Sequence, residues 1–146
     1  MLPKRWGAQQ GFTLVELIVV VAVLGILVAI LVPALLTAVD RSRQRRSMAD
    51  MTNLAKANAM YQIDVGRYAA ALNDLQPAYL QVLPANDAWG TPFQYAPAGN
   101  QRTYELRSFG NDGAPGPNPP ATWLSEPYDP DIVMDTGTFT QMPVNQ

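Results

Sequence analysis

Between Leu17 and Leu36 the chain runs for twenty residues without a charged side chain, and most of them are Val, Leu, Ile or Ala. A helix rises 1.5 Å per residue, so a helical stretch of this length covers about 30 Å, the hydrocarbon thickness of a bilayer. The run is therefore read as a membrane-spanning helix. A secretory signal peptide is the nearest rival, but its apolar core is typically about 7–15 residues and ends in a small-x-small cleavage site. Here the run closes on "LLTAVD", with Leu36 where a small residue is preferred.

The rest of the composition narrows the chemistry. With 146 residues the chain has room for one modest core, and it contains neither cysteine nor histidine. Disulfides, thiolate metal sites, histidine-ligated zinc, and Ser-His-Asp or Cys-His nucleophilic sets are thereby excluded. No constellation for an enzyme can be named, and none is expected. Ten Lys and Arg against twelve Asp and Glu leave a net charge of −2, so nucleic acid is not an expected partner. The charges are segregated: Lys4 and Arg5 precede the apolar run, and Arg41, Arg43, Arg45 and Arg46 follow it. Acids gather late, at Asp112, Glu126, Asp129, Asp131 and Asp135.

An acid at the start of the apolar run, Glu16, demands explanation, because a carboxylate stranded in hydrocarbon costs several kcal/mol and seeks a cation. It sits in "GFTLVEL", Gly11 to Leu17, behind a short basic leader. A glycine, a phenylalanine and a glutamate fifth from that phenylalanine, in register ahead of an unbroken apolar helix, resemble the class III signal of type IV pilins and type II secretion pseudopilins. The resemblance implies that a membrane-embedded prepilin peptidase cuts between Gly11 and Phe12 and methylates the new amino terminus. It implies further that Glu16 of one subunit meets the Phe12 amino group of its neighbour and sets the stagger between subunits. Before assembly Glu16 snorkels to the headgroups or pairs with its own Phe12 one turn away. Gly25 and Pro33 interrupt the helix and are expected to kink it or let it loosen. Two basic residues before the span against four after it favour the reverse orientation on charge alone. The motif outweighs that tally, since the leader must face a cytoplasmic peptidase.

After Asp40 the helix continues as an amphipathic one. Met48, Met51, Leu54 or Ala55, and Tyr61 fall at helical spacing as a core stripe, with Asp50, Asn53 and Lys56 off it, and Gly66 is the stop signal. One helix from Phe12 to about Asp64 is expected. Beyond Tyr68, "LNDLQPAYLQVLPAN" reads as a helical turn and a loop, while "TPFQYAP" and "RTYELRSF" read as strands joined by a turn at Ala98 to Gln101. Two strands are unstable alone, so they must pack on the carboxy-terminal half of the helix, giving an α+β fold with a loop-rich C-terminal region. The expected organisation is a leader over 1–11, a membrane and assembly helix over 12–39, its amphipathic continuation over 40–66, and a small domain over 67–146.

"YQIDVGRY", "DAWGTPFQY" and "YELRSFGNDGAPG" occur in the order found in the major pseudopilin of type II secretion systems, and the chain resembles that family over roughly three quarters of its length. The resemblance implies a calcium ion in the loop after "SFGNDG", with Asp112, Asp129 and Asp131 as candidate ligands and the Phe109 carbonyl as a further one. Calcium takes six to eight oxygens, which a proline- and glycine-rich loop can present. The chain departs from the family here, with a long insertion between Gly113 and Asp129 and "VMDTGTF" where a tryptophan is expected, so that Trp123 is the candidate core plug.

The function implied is a structural subunit of the bacterial inner membrane, single-pass with its C-terminal domain periplasmic. It polymerises into a helical periplasmic filament with its own kind and with other pseudopilins or pilins, on an inner-membrane assembly platform, and so drives protein export. Two alternatives stay open: a type IV pilin or minor pilin serving adhesion, motility or DNA uptake, and a monomeric membrane-anchored calcium-binding module.

Overall fold

Thr13 and Gly66 bracket a single helix for local reasons. The computed structural model describes residues 11–116 and 131–142, and within them helix α1 runs from Leu14 to Val65, 52 residues. At its start the Thr13 hydroxyl accepts the Glu16 N–H at 3.2 Å while Glu16 Oε2 accepts the Thr13 N–H at 2.9 Å, a reciprocal capping box. At its end Gly66 adopts φ +81 and donates its N–H to the Gln62 carbonyl at 2.9 Å, a left-handed stop that a side chain would resist. The expected boundaries, Phe12 and about Asp64, agree to within two residues.

The chain divides into two compact units, Met1–Thr37 and Ala38–Gln146. In the first, the described part is the apolar stretch of α1, and every residue from 11 to 39 is exposed. The helix is continuous across Gly25 and Pro33. Pro33 has no N–H to give the Ala29 carbonyl, and its own carbonyl accepts the Thr37 hydroxyl at 3.1 Å.

In the second unit α1 turns one face inward through Gln44, Ser47, Met51, Leu54, Ala55 and Asn58, a spacing of three and four. Against it lies a four-stranded antiparallel sheet in the order β1 (Gln94–Ala98), β2 (Thr103–Ser108), β3 (Ile132–Asp135), β4 (Thr138–Gln141). Alternation in β2 sends Tyr104, Leu106 and Ser108 inward. The core joins Met51, Leu54 and Ala55 of the helix to Phe93, Tyr104, Leu106, Ile132 and Met134. The expected packing of strands on the carboxy-terminal half of the helix is what forms. The second hairpin, β3 and β4, is additional to the two expected strands and occupies part of the region read as loop. Its turn is Thr136-Gly137, with φ +46 and +84, the conformation a two-residue hairpin requires. Trp123 lies outside the described residues.

Two buried polar knots fasten the loops. Asn58, 1% exposed, accepts the Ala69 N–H at 2.9 Å and donates to the Tyr95 hydroxyl at 3.0 Å, which in turn donates to the Ala69 carbonyl at 2.8 Å. The second knot is Asp87, 6% exposed, whose carboxylate accepts the N–H groups of Trp89 and Thr91 and, at 2.7 Å, the Ser108 hydroxyl. The "DAWGTP" turn is thus tied to the end of β2. Gly90 completes the turn at φ +95.

Candidate functional site

Two places carry the residues singled out by sequence. The first is the amino-terminal end of α1. Gly11, Phe12, Thr13 and Glu16 are all exposed, and Phe12 is 83% so. Residues 1–10, the leader proper, lie outside the described residues. With the Gly11–Phe12 peptide intact, Phe12 carries no free amine, and Glu16 takes its hydrogen bonds from Thr13, from the backbone N–H and from the hydroxyl at 3.0 Å. Headgroups or a Phe12 amine are the partners expected for Glu16 from the sequence, and Thr13 is the partner it has here. The T-x-x-E spacing ahead of an apolar run was the signal. Chemically, this end presents a carboxylate that is satisfied by neutral donors and, among the described residues, has no cation paired with it, at the edge of an exposed apolar stretch.

The second place is the acidic loop after β2. Asp131 is 2% exposed and precedes β3 directly. Its two oxygens accept the Gly116 N–H, each at 3.2 Å, and Oδ2 also accepts from Arg107 Nη1 at 3.1 Å. Arg107 further gives Nε and Nη2 to Glu105 Oε1 at 3.1 and 2.9 Å. Burial raises the Asp131 carboxyl above the ordinary aspartate range, against the pull of the Gly116 N–H and of Arg107. Asp112 is exposed and caps the Ala114 N–H at 3.1 Å, and Phe109 is half-buried. Asp129 lies outside the described residues.

Calcium asks for six to eight oxygens with few competing cations. Among the described residues no three acids are grouped closely enough to hold a metal ion. Asp131 is engaged by a guanidinium, Asp112 caps a turn, and Ser108 is committed to Asp87. The described donor set does not fit a calcium cage. Arg107, which the sequence reading leaves without a role, is the group that Asp131 meets.

Comparison with known proteins completes the assignment. Residues 6–32 match the prokaryotic N-terminal methylation motif. Residues 34–126 match the family described as type II secretion system protein G. Among curated relatives, the type II secretion system core protein G of Pseudomonas aeruginosa is 35% identical over 125 residues, covering 74% of this chain and 87% of that protein. The core protein G of Vibrio cholerae is 32% identical over 129 residues, covering 77% and 88%, and that of Pectobacterium carotovorum 32% over 125 residues, covering 74% and 80%. No solved structure matches the chain significantly. The chain belongs to the type II secretion system protein G family.

Proposed function

We propose that this chain is the major-pseudopilin-type structural subunit of a type II secretion system, anchored in the bacterial inner membrane with its sheet-bearing domain in the periplasm. A prepilin peptidase removes the leader at Gly11 and methylates Phe12. Subunits then leave the bilayer on an inner-membrane assembly platform and join a periplasmic filament with their own kind and with other pseudopilins, and filament growth drives protein export. No catalytic step belongs to the chain itself.

The observation that carries this reading is the apolar half of α1, exposed along its whole length and bearing one acid at its tip. Burial of this surface stabilises whatever covers it by roughly 25 cal/mol per Å², so lipid before assembly and neighbouring helices after it are the natural environments. Cleavage supplies the missing cation. The new Phe12 amino group of one subunit pairs with Glu16 of the next, which satisfies the acid in hydrocarbon and fixes the stagger. Pro33, by withholding one backbone hydrogen bond, and Gly25, by its low helix propensity, supply the local give that repacking from bilayer to filament requires.

The test is intact mass and amino-terminal sequencing of the protein from its native membranes, with Glu16→Ala alongside. The expected result is a mature chain beginning at methylated Phe12, with the variant processed but failing to crosslink into multimers. A chain that keeps its leader, or a variant that multimerises normally, overturns the proposal.

A further inference from the structure

We propose that Arg107 is the resident cation at Asp131: in this chain an internal ion-pair clasp, Glu105–Arg107–Asp131, fastens Gly116 to the start of β3, the described ends of the segment for which family resemblance implies calcium. Strand register sets the three side chains on one face. Arg107 lies opposite Val133 and Ser108 opposite Ile132 in the β2 and β3 pairing, so Asp131 is the diagonal neighbour of Arg107 on one face of the sheet. Glu105, two residues earlier on β2, shares that face by the period of the strand. The backbone ladder therefore delivers a guanidinium between two carboxylates without any help from the loop.

Geometry then shows the clasp closed. All three contacts lie at 2.9 to 3.1 Å, with the Arg107 side chain 19% exposed and that of Asp131 2%. The guanidinium is a planar fork of donors, suited to bridging two acids at once. Asp131 passes the constraint onward to the loop through Gly116, whose N–H it accepts. A Cβ placed on Gly116 would stand 3.4 Å from Asp131 Oδ1, in ordinary contact with the carboxylate. A dication at Asp131 would have to displace a charge already seated there. A buried ion pair of this kind adds little net stability over an apolar replacement, but loss of one partner strands the other. That asymmetry makes the clasp measurable.

The experiment is thermal unfolding of the full-length chain in detergent, in calcium and in EGTA, for the unaltered protein, Arg107→Gln, and Arg107→Gln with Asp131→Asn. The unaltered chain is expected to melt at the same temperature in calcium and in EGTA. Arg107→Gln is expected to melt several degrees lower, and the double variant to recover part of that loss because no buried charge remains alone. A calcium-dependent rise in the melting temperature of the unaltered chain overturns the proposal. So does an Arg107→Gln chain that melts like the parent, or a double variant no better than the single one. If Arg107→Gln fails to fold, the calcium and EGTA comparison on the unaltered chain, with Arg107→Lys as the charge-retaining control, still decides. Filament assembly plays no part in this measurement, so its outcome is separate from that of the pseudopilin reading.

Discussion

The two halves of α1 share one secondary structure and have opposite fates. From Leu17 to Leu36 the side chains are apolar all round and exposed, whereas from Gln44 to Asn58 a narrow face carries Met51 and Leu54 into a core and leaves Asp50, Asn53 and Lys56 outside it. A helix apolar on every side has no preferred partner face, so its burial must come from an environment that surrounds it, lipid or a bundle of like helices. One with a single apolar stripe is satisfied by one sheet. The difference teaches that one half of α1 is satisfied by its own chain, whereas the other, among the described residues, stays exposed.

The sharpest way to break that comparison is to touch the one charged group in the first half. Glu16→Gln keeps the capping geometry, since a glutamine at that position can still accept from Thr13, but removes the charge. If pairing with an amino terminus sets the stagger, multimers captured by crosslinking in membranes should fall to near background while the melting of the sheet-bearing unit stays put. Normal multimer yield from Glu16→Gln would make Glu16 a helix cap and nothing more.

Next in size come changes to the second half. Leu54 is 1% exposed against Leu106 and Met134 in the shared core, so Leu54→Ala should cost about 2–5 kcal/mol. Val23, half exposed in the first half, is the control: Val23→Ala should shift the same unfolding transition by less than about 0.5 kcal/mol. Denaturant melts of both in detergent check the pair, and equal shifts would erase the distinction between the halves. Asp87→Asn is a milder probe. It trades a carboxylate acceptor for an amide that places a donor near three others, with an expected cost of about 1–3 kcal/mol by the same melts.

How much of this was legible follows from sequence distance. The stripe through Met51 and Leu54 repeats at helical period, and Gly66 is a local stop, so α1 and its core face are readable directly. The first hairpin is readable from aromatic alternation around Gly99 and Asn100. The second is not, because Ile132, Val133 and Met134 are buried in succession and a bulge between Val133 and Met134 breaks the period of two, although Thr136-Gly137 marks its turn. Asp87 stands in a motif the eye catches, yet its role depends on Ser108, 21 residues away. The Arg107 to Asp131 contact spans 24 residues and becomes visible only once strand register is known. Thr13 and Glu16 lie three apart, and there the signal was local but competed with a louder one, the apolar run itself.

The finest probe of the comparison is pH. Between Leu17 and Val39 nothing titrates, while the sheet-bearing unit buries Tyr104 against the rings of Tyr68 at 4.9 Å and Tyr95 at 5.5 Å. Burial first, then those two neighbouring phenols, push the Tyr104 phenol up to about 12. An unfolded tyrosine titrates near 10, so between roughly pH 10 and 12 the folded chain holds a proton that the unfolded chain has released. The stability this contributes is complete below pH 10 and is lost as pH rises through that window. Tyrosinate absorbance of the folded protein should therefore show a late phase missing from the denatured protein. Tyr104→Phe, which keeps the ring, should remove part of that phase and flatten the alkaline fall in melting temperature, leaving the contributions of Tyr95, raised by burial, and of Tyr79, raised by its hydrogen bond to Asp64. An unchanged alkaline profile in Tyr104→Phe would mean the core around β2 opens to water before its phenols ionise, and the second half of the helix would then be less securely satisfied by its own chain than its burial implies.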